Sequence, residues 1–322
     1  MTLSNRRKYG TVVSWTYKWI GAVACLVVLA TYMDGMRRGK CGMFKLAGEP
    51  KTAVPHYAPP FLVGVELSLI EERAHTRLLD TLSSNSVNND FPFDDILISL
   101  PLHADVFHTS QIGSEGDKFF VAPFSLKQQG QKCIVYGAGL ANRADFENYM
   151  SESVGCDVHG FDCTLLAAQP QWNFTFHDTC IGQSHAFDGN SYSMAKRKAD
   201  LTFEFKGLDT IRTELGHSHI DILKMDIEGF EWDIFVGLLQ LQDLDLPQQL
   251  LFELHTEGAN PTWVPPSLVK GKTRREVVDL FLRLYDRGYR VVYKEVNIGD
   301  PRCADFTLLR IPMSVAENLE NV

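Results

Sequence analysis

The stretch Asp221-Ile222-Leu223-Lys224-Met225-Asp226-Ile227-Glu228-Gly229-Phe230-Glu231-Trp232 decides how this chain is read. A short, mostly apolar run breaks off into acids, as a buried strand of a parallel sheet does where it meets its loop. Asp226, Glu228 and Glu231 surround Gly229. Open α/β sheets keep their ligands at this edge, outside the carboxyl ends of the strands. Unpaired burial of three acids is costly, so they are paired, hydrated or turned toward a polar ligand. Glu231 is read as an acid complementing a helix amino end, and Asp226 and Glu228 as site residues.

Outward from this stretch, strands are predicted over residues 132–136 (KCIVY), 156–161 (CDVHGF), 173–177, 220–225, 249–254, 289–295 and 306–311. Helices are predicted over 143–153, 208–215, 231–241 and 274–287. The alternation predicts a doubly wound, mostly parallel α/β sheet, and the last two strands are close enough in sequence for a hairpin, which makes one late strand antiparallel. Val65, Leu69, Leu78, Leu79 and Leu82 recur at helical spacing and predict an amphipathic helix over 65–82.

The first of these strands runs into Tyr136-Gly137-Ala138-Gly139. Glycines at such a turn let backbone approach a ligand where a Cβ would collide. Asp162 follows 23 positions beyond Gly139, at the end of the next strand, where a carboxylate can accept hydrogen bonds from two ribose hydroxyls. A dinucleotide fingerprint would place a third glycine at Asn142, and no Gly-Lys-Ser/Thr run follows the turn, so it is not built for a pyrophosphate.

The core Lys224-Met225-Asp226-Ile227-Glu228-Gly229, supported by YGAG, GFDCT, CIG and FELH between residues 132 and 311, resembles the FkbM-type methyltransferases and the related membrane-anchored methyltransferase-like proteins of eukaryotes. The resemblance implies a class I, Rossmann-like fold, S-adenosylmethionine as cofactor, and O-methylation of a glycan or small-molecule hydroxyl. By the same resemblance Gly137 and Gly139 would line the methionine part of the cofactor and Asp162 its ribose, with Tyr136 and Ala138 among the cofactor-binding residues of the same turn. Cys180 and Ile181 would border the adenine, and Asp226 would lie near the transferred methyl. Tyr136 stands where many class I enzymes carry an acid. Methyl transfer then needs a base for the acceptor. Glu253 and His255 are read as pointing to opposite faces of their strand, with His255 at the exit the better base, so Asp226, Glu228 and His255 form the expected catalytic set. A divalent ion on those three side chains is the alternative, and no metal is expected.

Over its 322 residues the chain carries a formal charge of −9. Residues 1–51 hold nine basic and two acidic residues, leaving 22 against 38 for the rest. An acidic body of −16 excludes a binder of nucleic-acid backbone. Residues 12–33 carry a single charge, Lys18, and would reach about 33 Å as a helix, enough for a bilayer. Trp15, Tyr17 and Trp19 suit an interfacial belt. The expected organisation is a tail (1–11), a single transmembrane anchor (12–33), a stem with a helical extension (34–118) and a methyltransferase domain (119–322); a cleaved signal peptide is the competing reading of the apolar segment. Flanking basic residues do not orient the anchor. The Asn173-Phe174-Thr175 sequon and six of seven cysteines beyond the anchor favour a lumenal domain in the endoplasmic reticulum or Golgi, where Cys163 and Cys180 could bridge two strand ends. Three other functions fit parts of the pattern: a nicotinamide oxidoreductase, an anchored glycosyltransferase using Asp243-Leu244-Asp245, and a non-catalytic cofactor-binding module.

Overall fold

The computed structural model describes residues 64–84, 90–100, 106–107, 118–121, 132–140, 144–165, 170–182 and 205–311. The tail, the anchor, most of the stem, Asn142 and residues 183–199 lie outside them. No helix among the described residues is long and apolar enough to cross a membrane.

In chain order the strands are β1 (Val106–Phe107), β2 (Phe120–Val121), β3 (Ile134–Ala138), β4 (Asp157–Phe161), β5 (Thr175–His177), β6 (Cys180–Ile181), β7 (Phe205–Lys206), β8 (Ile222–Met225), β9 (Gln249–His255), β10 (Tyr289–Val296) and β11 (Cys303–Arg310). The helices are α1 (Gly64–Ser83), α2 (Asp145–Tyr149), α3 (Leu208–Glu214), α4 (Glu231–Leu238), α5 (Pro266–Val269) and α6 (Arg274–Asp286). One seven-stranded sheet runs β10-β11-β9-β8-β3-β4-β5. Strands β9, β8, β3, β4 and β5 are mutually parallel, and β11 is antiparallel to both β9 and β10. The doubly wound sheet with a late antiparallel strand is the architecture expected from the sequence. The short pairs β1 with β2 and β6 with β7 were not foreseen, because two-residue strands carry no periodicity.

Strands β3 and β8 are buried along their whole length, as parallel strands covered on both faces must be. Side chains alternate between two cores. Tyr136, Ala138, Leu223, Met225, Leu250, Phe252 and Leu254 belong to the larger one; Val135, Ile222 and Leu251 belong to the other. On the second face apolar residues occupy the amino-terminal half of each strand. Toward the carboxyl ends the same face turns polar, through Ile222-Lys224-Asp226 and Leu251-Glu253-His255.

The described residues 64–84 and 90–100 pack on this body. Leu78 of α1 joins the larger core. Buried Asp95 accepts from Arg77 at 2.8 Å and from Arg274 of α6 at 2.6 Å, and Glu71 pairs with Arg290 at 3.1 Å. Two disulfides tie the β3-β4-β5 end. Cys163–Cys180 is the expected bridge, and Cys133–Cys156 joins the starts of β3 and β4. The second was missed because Cys133 was read only as part of an apolar run.

The glycine turn after β3 is clamped by protein. A Cβ on Gly137 would lie 2.2 Å from Glu147 Oε1, and one on Gly139, at φ +80°, would lie 1.8 Å from the Asp226 carbonyl oxygen. The glycines were read as making room for a ligand; what they admit is the α2 carboxylate and the end of β8. Lys224 Nζ completes the clamp, 3.5 Å from Glu147 Oε1 and donating to Gly139 O at 2.6 Å. Removing one member of a buried ion pair leaves the other uncompensated, whereas replacing both with apolar groups costs little. Lys224→Met is therefore expected to lower unfolding free energy by about 3–5 kcal/mol. The double variant Lys224→Met/Glu147→Leu should recover most of that loss, as read by urea denaturation of the purified chain. A double variant as unstable as the single one would exclude the clamp.

Candidate active site

At the carboxyl end of the sheet, one face collects charge from five segments. Asp226 leaves β8, Glu228 follows in the loop, Glu231 opens α4, Glu253 and His255 end β9, and Asp305 comes from β11 in register with Glu253. Lys118, just before β2, inserts its ammonium among them, 3.3 Å from Asp226 Oδ2 and paired with Asp305. Positions two apart on a strand share a face. Glu253 and His255 are accordingly neighbours, with His255 Nε2 3.7 Å from Glu253 Oε2, which corrects the expectation that they diverge.

His255 is nearly fully buried and contacts three acids. Its Nδ1 lies 3.3 Å from Glu231 Oε1, and its Nε2 lies 3.5 Å from Glu228 Oε2. Burial works against its charge, but Glu231, Cys303 and Glu253 outweigh burial and raise its pKa well above the usual imidazole range. That direction works against His255 as the base for an acceptor. Glu231 does more than face a helix dipole. Its two oxygens accept the backbone N–H groups of Ile227 and Gly229, each at 3.0 Å, and so shape the loop that presents Glu228.

Glu228 is the one described non-glycine residue with a left-handed backbone, at φ 57°. Strain of this kind persists where the surroundings over-determine it, and it concentrates at functional sites. Its side chain is half-buried, and burial pushes its carboxyl up to about 7, with His255 opposing and Asp226 and Glu231 adding to the rise. Asp226 goes the other way: burial resists ionisation, yet Lys118, Lys224 and His255 hold it well below the usual carboxylate range. Two acids two residues apart are thus driven in opposite directions, an arrangement that separates an ionised group from a proton acceptor. Burial, with Asp226 adding to it, likewise carries Glu253 up to about 8.

The remaining expected residues divide. Asp162 sits at the end of β4, its Oδ2 accepting from Leu140 N at 3.0 Å and its Oδ1 from Thr164 N at 2.8 Å and Thr164 Oγ1 at 2.6 Å. Gly137, Ala138 and Gly139 end β3 beside it, and Cys180 and Ile181 form β6 across the disulfide. Tyr136 departs from this group: it is buried in the core of the other face, with its hydroxyl 2.7 Å from His217 Nδ1. Asp243 and Asp245 are engaged elsewhere, with Arg287 at 2.9 Å and Arg212 at 3.0 Å, so they do not form a metal-binding pair for a sugar nucleotide. For a metal, Glu253, His255 and Cys303 bring ligand atoms within 4.8 Å of one another. The ammonium of Lys118 already supplies positive charge to the adjoining carboxylates. Lys118, Asp305 and Lys224 were missed by the sequence reading. For Asp305 there was a signal, a lone acid alternating into an apolar strand.

Residues 104–310 match a family described as a methyltransferase domain. The chain belongs to that family. Its relatives include probable methyltransferase-like protein 24 of Homo sapiens, 31% identical over 140 residues, or 41% of this chain and 36% of the relative. The Rattus norvegicus protein of the same description is 31% identical over 131 residues, covering 39% and 33%. The match thus spans about a third of these relatives. Among solved structures, a point mutant of the 16S rRNA (adenine(1408)-N(1))-methyltransferase from Catenulisporales acidiphilia is 12% identical at a TM-score of 0.30, over 65% of this chain and 97% of that one. A TehB-like SAM-dependent methyltransferase from Corynebacterium glutamicum is 14% identical at 0.27, over 58% and 86%. Likenesses that distant carry no argument. The class I arrangement of this chain rests on its own strand order.

The cofactor of the family is S-adenosylmethionine. Asp162, Cys180, Ile181, Gly139 and Asp226 lie toward the carboxyl edge of the sheet, and the Asp162 carboxylate is engaged by Leu140 N, Thr164 N and Thr164 Oγ1.

The acid cluster makes stability depend on pH. In the unfolded chain Glu228 and Glu253 titrate near the ordinary value of about 4.3; folded, they hold protons to about 7 and about 8. The stabilisation is full below the ordinary carboxylate range and is lost as pH climbs through those folded values. His255, also raised, adds in the same direction. The melting temperature should therefore fall between about pH 5 and pH 8, and Glu253→Gln, which mimics the protonated acid, should flatten the decline. Calorimetry across that range reads it, and an unchanged slope in the variant would contradict the assignment.

Proposed function

We propose that this methyltransferase is an FkbM-like O-methyltransferase, anchored through residues 12–33, that acts in the endoplasmic reticulum or Golgi lumen on a hydroxyl of a glycan or small molecule. Glu228 carries the reading: a strained, half-buried carboxyl with a pKa of about 7, two residues from an ionised acid, at the cofactor edge of the sheet. S-adenosylmethionine supplies an electrophilic methyl on a good leaving group. What remains for the protein is to align the acceptor oxygen and take its proton. Glu228 is the proton acceptor, because a base is most effective near the operating pH. His255, raised by Glu231, Cys303 and Glu253 and 3.5 Å from Glu228 Oε2, holds Glu228 in place. Asp226 offers a negative charge to the sulfonium and, through its backbone, packs against Gly139. The acidic body supports an uncharged or cationic acceptor over nucleic acid. Two disulfides, Cys163–Cys180 beyond the carboxyl end of β4 and Cys133–Cys156 at the starts of β3 and β4, favour an oxidising compartment, and Asn173 is exposed just before β5, where a glycan could be attached.

The test is turnover of the full chain in detergent with radiolabelled S-adenosylmethionine and a panel of glycan and polyol acceptors. Glu228→Gln should lower turnover by roughly 10²- to 10⁴-fold with little change in KM. The wild-type rate should rise with pH through about 7, as Glu228 loses its proton. Full turnover in Glu228→Gln, or product methylated on nitrogen, would defeat the reading. For compartment, the chain in microsomes should shift on glycosidase treatment, and Asn173→Gln should abolish the shift. A protease-accessible, unglycosylated domain on the cytosolic side would refute the lumenal assignment.

A further inference from the structure

The opposite face of the sheet carries a second gathering of chemistry near the amino ends of the strands, away from the charged cluster. Asp157 and His159 alternate on β4, and His217 reaches them from the turn between α3 and β8. We propose that Asp157, His159 and His217 bind a divalent transition-metal ion of the zinc type, a site separate from the methyl-transfer reaction.

Three observations carry this. Ligand-capable atoms of the three side chains all lie within 4.8 Å of one another. His159 Nε2 stands 3.5 Å from Asp157 Oδ1. That is longer than the 2.7–3.2 Å of an N–H···O hydrogen bond and close to the edge of about 3.3 Å between two ligands held tetrahedrally at roughly 2.05 Å. His159 is 7% exposed, and its Nε2 is buried with no hydrogen-bond partner among the described residues. The remaining nitrogens are held as metal-bound imidazoles usually are, by outer partners that fix the ring and its tautomer. His159 Nδ1 meets His177 Nε2 at 2.9 Å, and His217 Nδ1 meets the Tyr136 hydroxyl at 2.7 Å, which leaves Nε2 of His217 for a ligand. Burial, with His217 close by, lowers His159 to about 4; burial also lowers His177 and His217. Neutral imidazole is the ligating form.

The donor set selects the ion. Two imidazoles and one carboxylate suit zinc and its neighbours, whereas magnesium and calcium prefer oxygen alone. Asp157 and His217 are both partly exposed, so water completes the coordination. The bound ion would fasten β4 to the α3-β8 turn.

The experiment measures zinc in the full chain, purified in detergent without chelators, by mass spectrometry, and then by add-back after stripping. About one zinc per chain is expected, with cobalt substitution giving d–d bands and no thiolate charge-transfer band. His217→Gln and Asp157→Asn, at partly exposed positions that leave the core intact, should each weaken binding at least roughly tenfold. Cys303→Ala, in the other cluster, should not. Failure to retain zinc at micromolar free metal would overturn the proposal. So would zinc that survives both variants, or zinc lost in Cys303→Ala.

Discussion

Charge at the carboxyl end of the sheet has to be balanced within protein, and this constraint organises the rest of the site. Asp226, Glu228, Glu231, Glu253 and Asp305 converge there, against the ammonium of Lys118 and the imidazolium of His255. Burial makes each ionised acid expensive, and Lys118, His255 and the nearby Lys224 cannot compensate five carboxylates. The cations therefore decide which acids ionise. Asp226, on which Lys118, Lys224 and His255 all act, is held low, while Glu228, Glu253 and Asp305 are pushed upward by burial. A family of carboxylates of identical chemistry becomes an ionised group and a set of proton acceptors through position alone.

The same balancing of buried charge holds the cofactor edge together. Lys224 lies on a strand that is otherwise apolar, yet it reaches both Glu147 and the carbonyl of Gly139. Glu231 satisfies two backbone N–H groups of the 227–229 loop, and Trp232 Nε1 donates to His255 O at 2.7 Å. The loop that presents Glu228 is thus fixed from β9 and α4 together, which is how a left-handed residue is kept in place.

Much of this was legible in the chain. All seven strands of the large sheet and five helices follow from apolar periodicity, because burial on two faces leaves a continuous apolar run and burial on one side of a helix leaves a 3.6-residue stripe. Boundaries moved by a few residues; the helix expected over 143–153 is α2 continued by a π-helical turn, Met150–Val154. Asp226, Glu228 and His255 were singled out correctly as neighbours. A role depends on the net field of groups that come from distant segments, which a local pattern does not contain. Lys118 gives no local signal, and the face of Glu253 follows from strand geometry that was misapplied.

The amino-acid sequence alone determined the element order, the carboxyl-edge loop of acids and the family, because these depend on short-range pattern and local composition. Tertiary structure decided which acids share a face, which cation neutralises them, that the glycines accommodate protein atoms, and that Tyr136 turns away to His217. Those outcomes depend on which strands lie side by side and in what register, and a β11 that returns antiparallel to bring Asp305 opposite Glu253 can be recognised only once the sheet has closed.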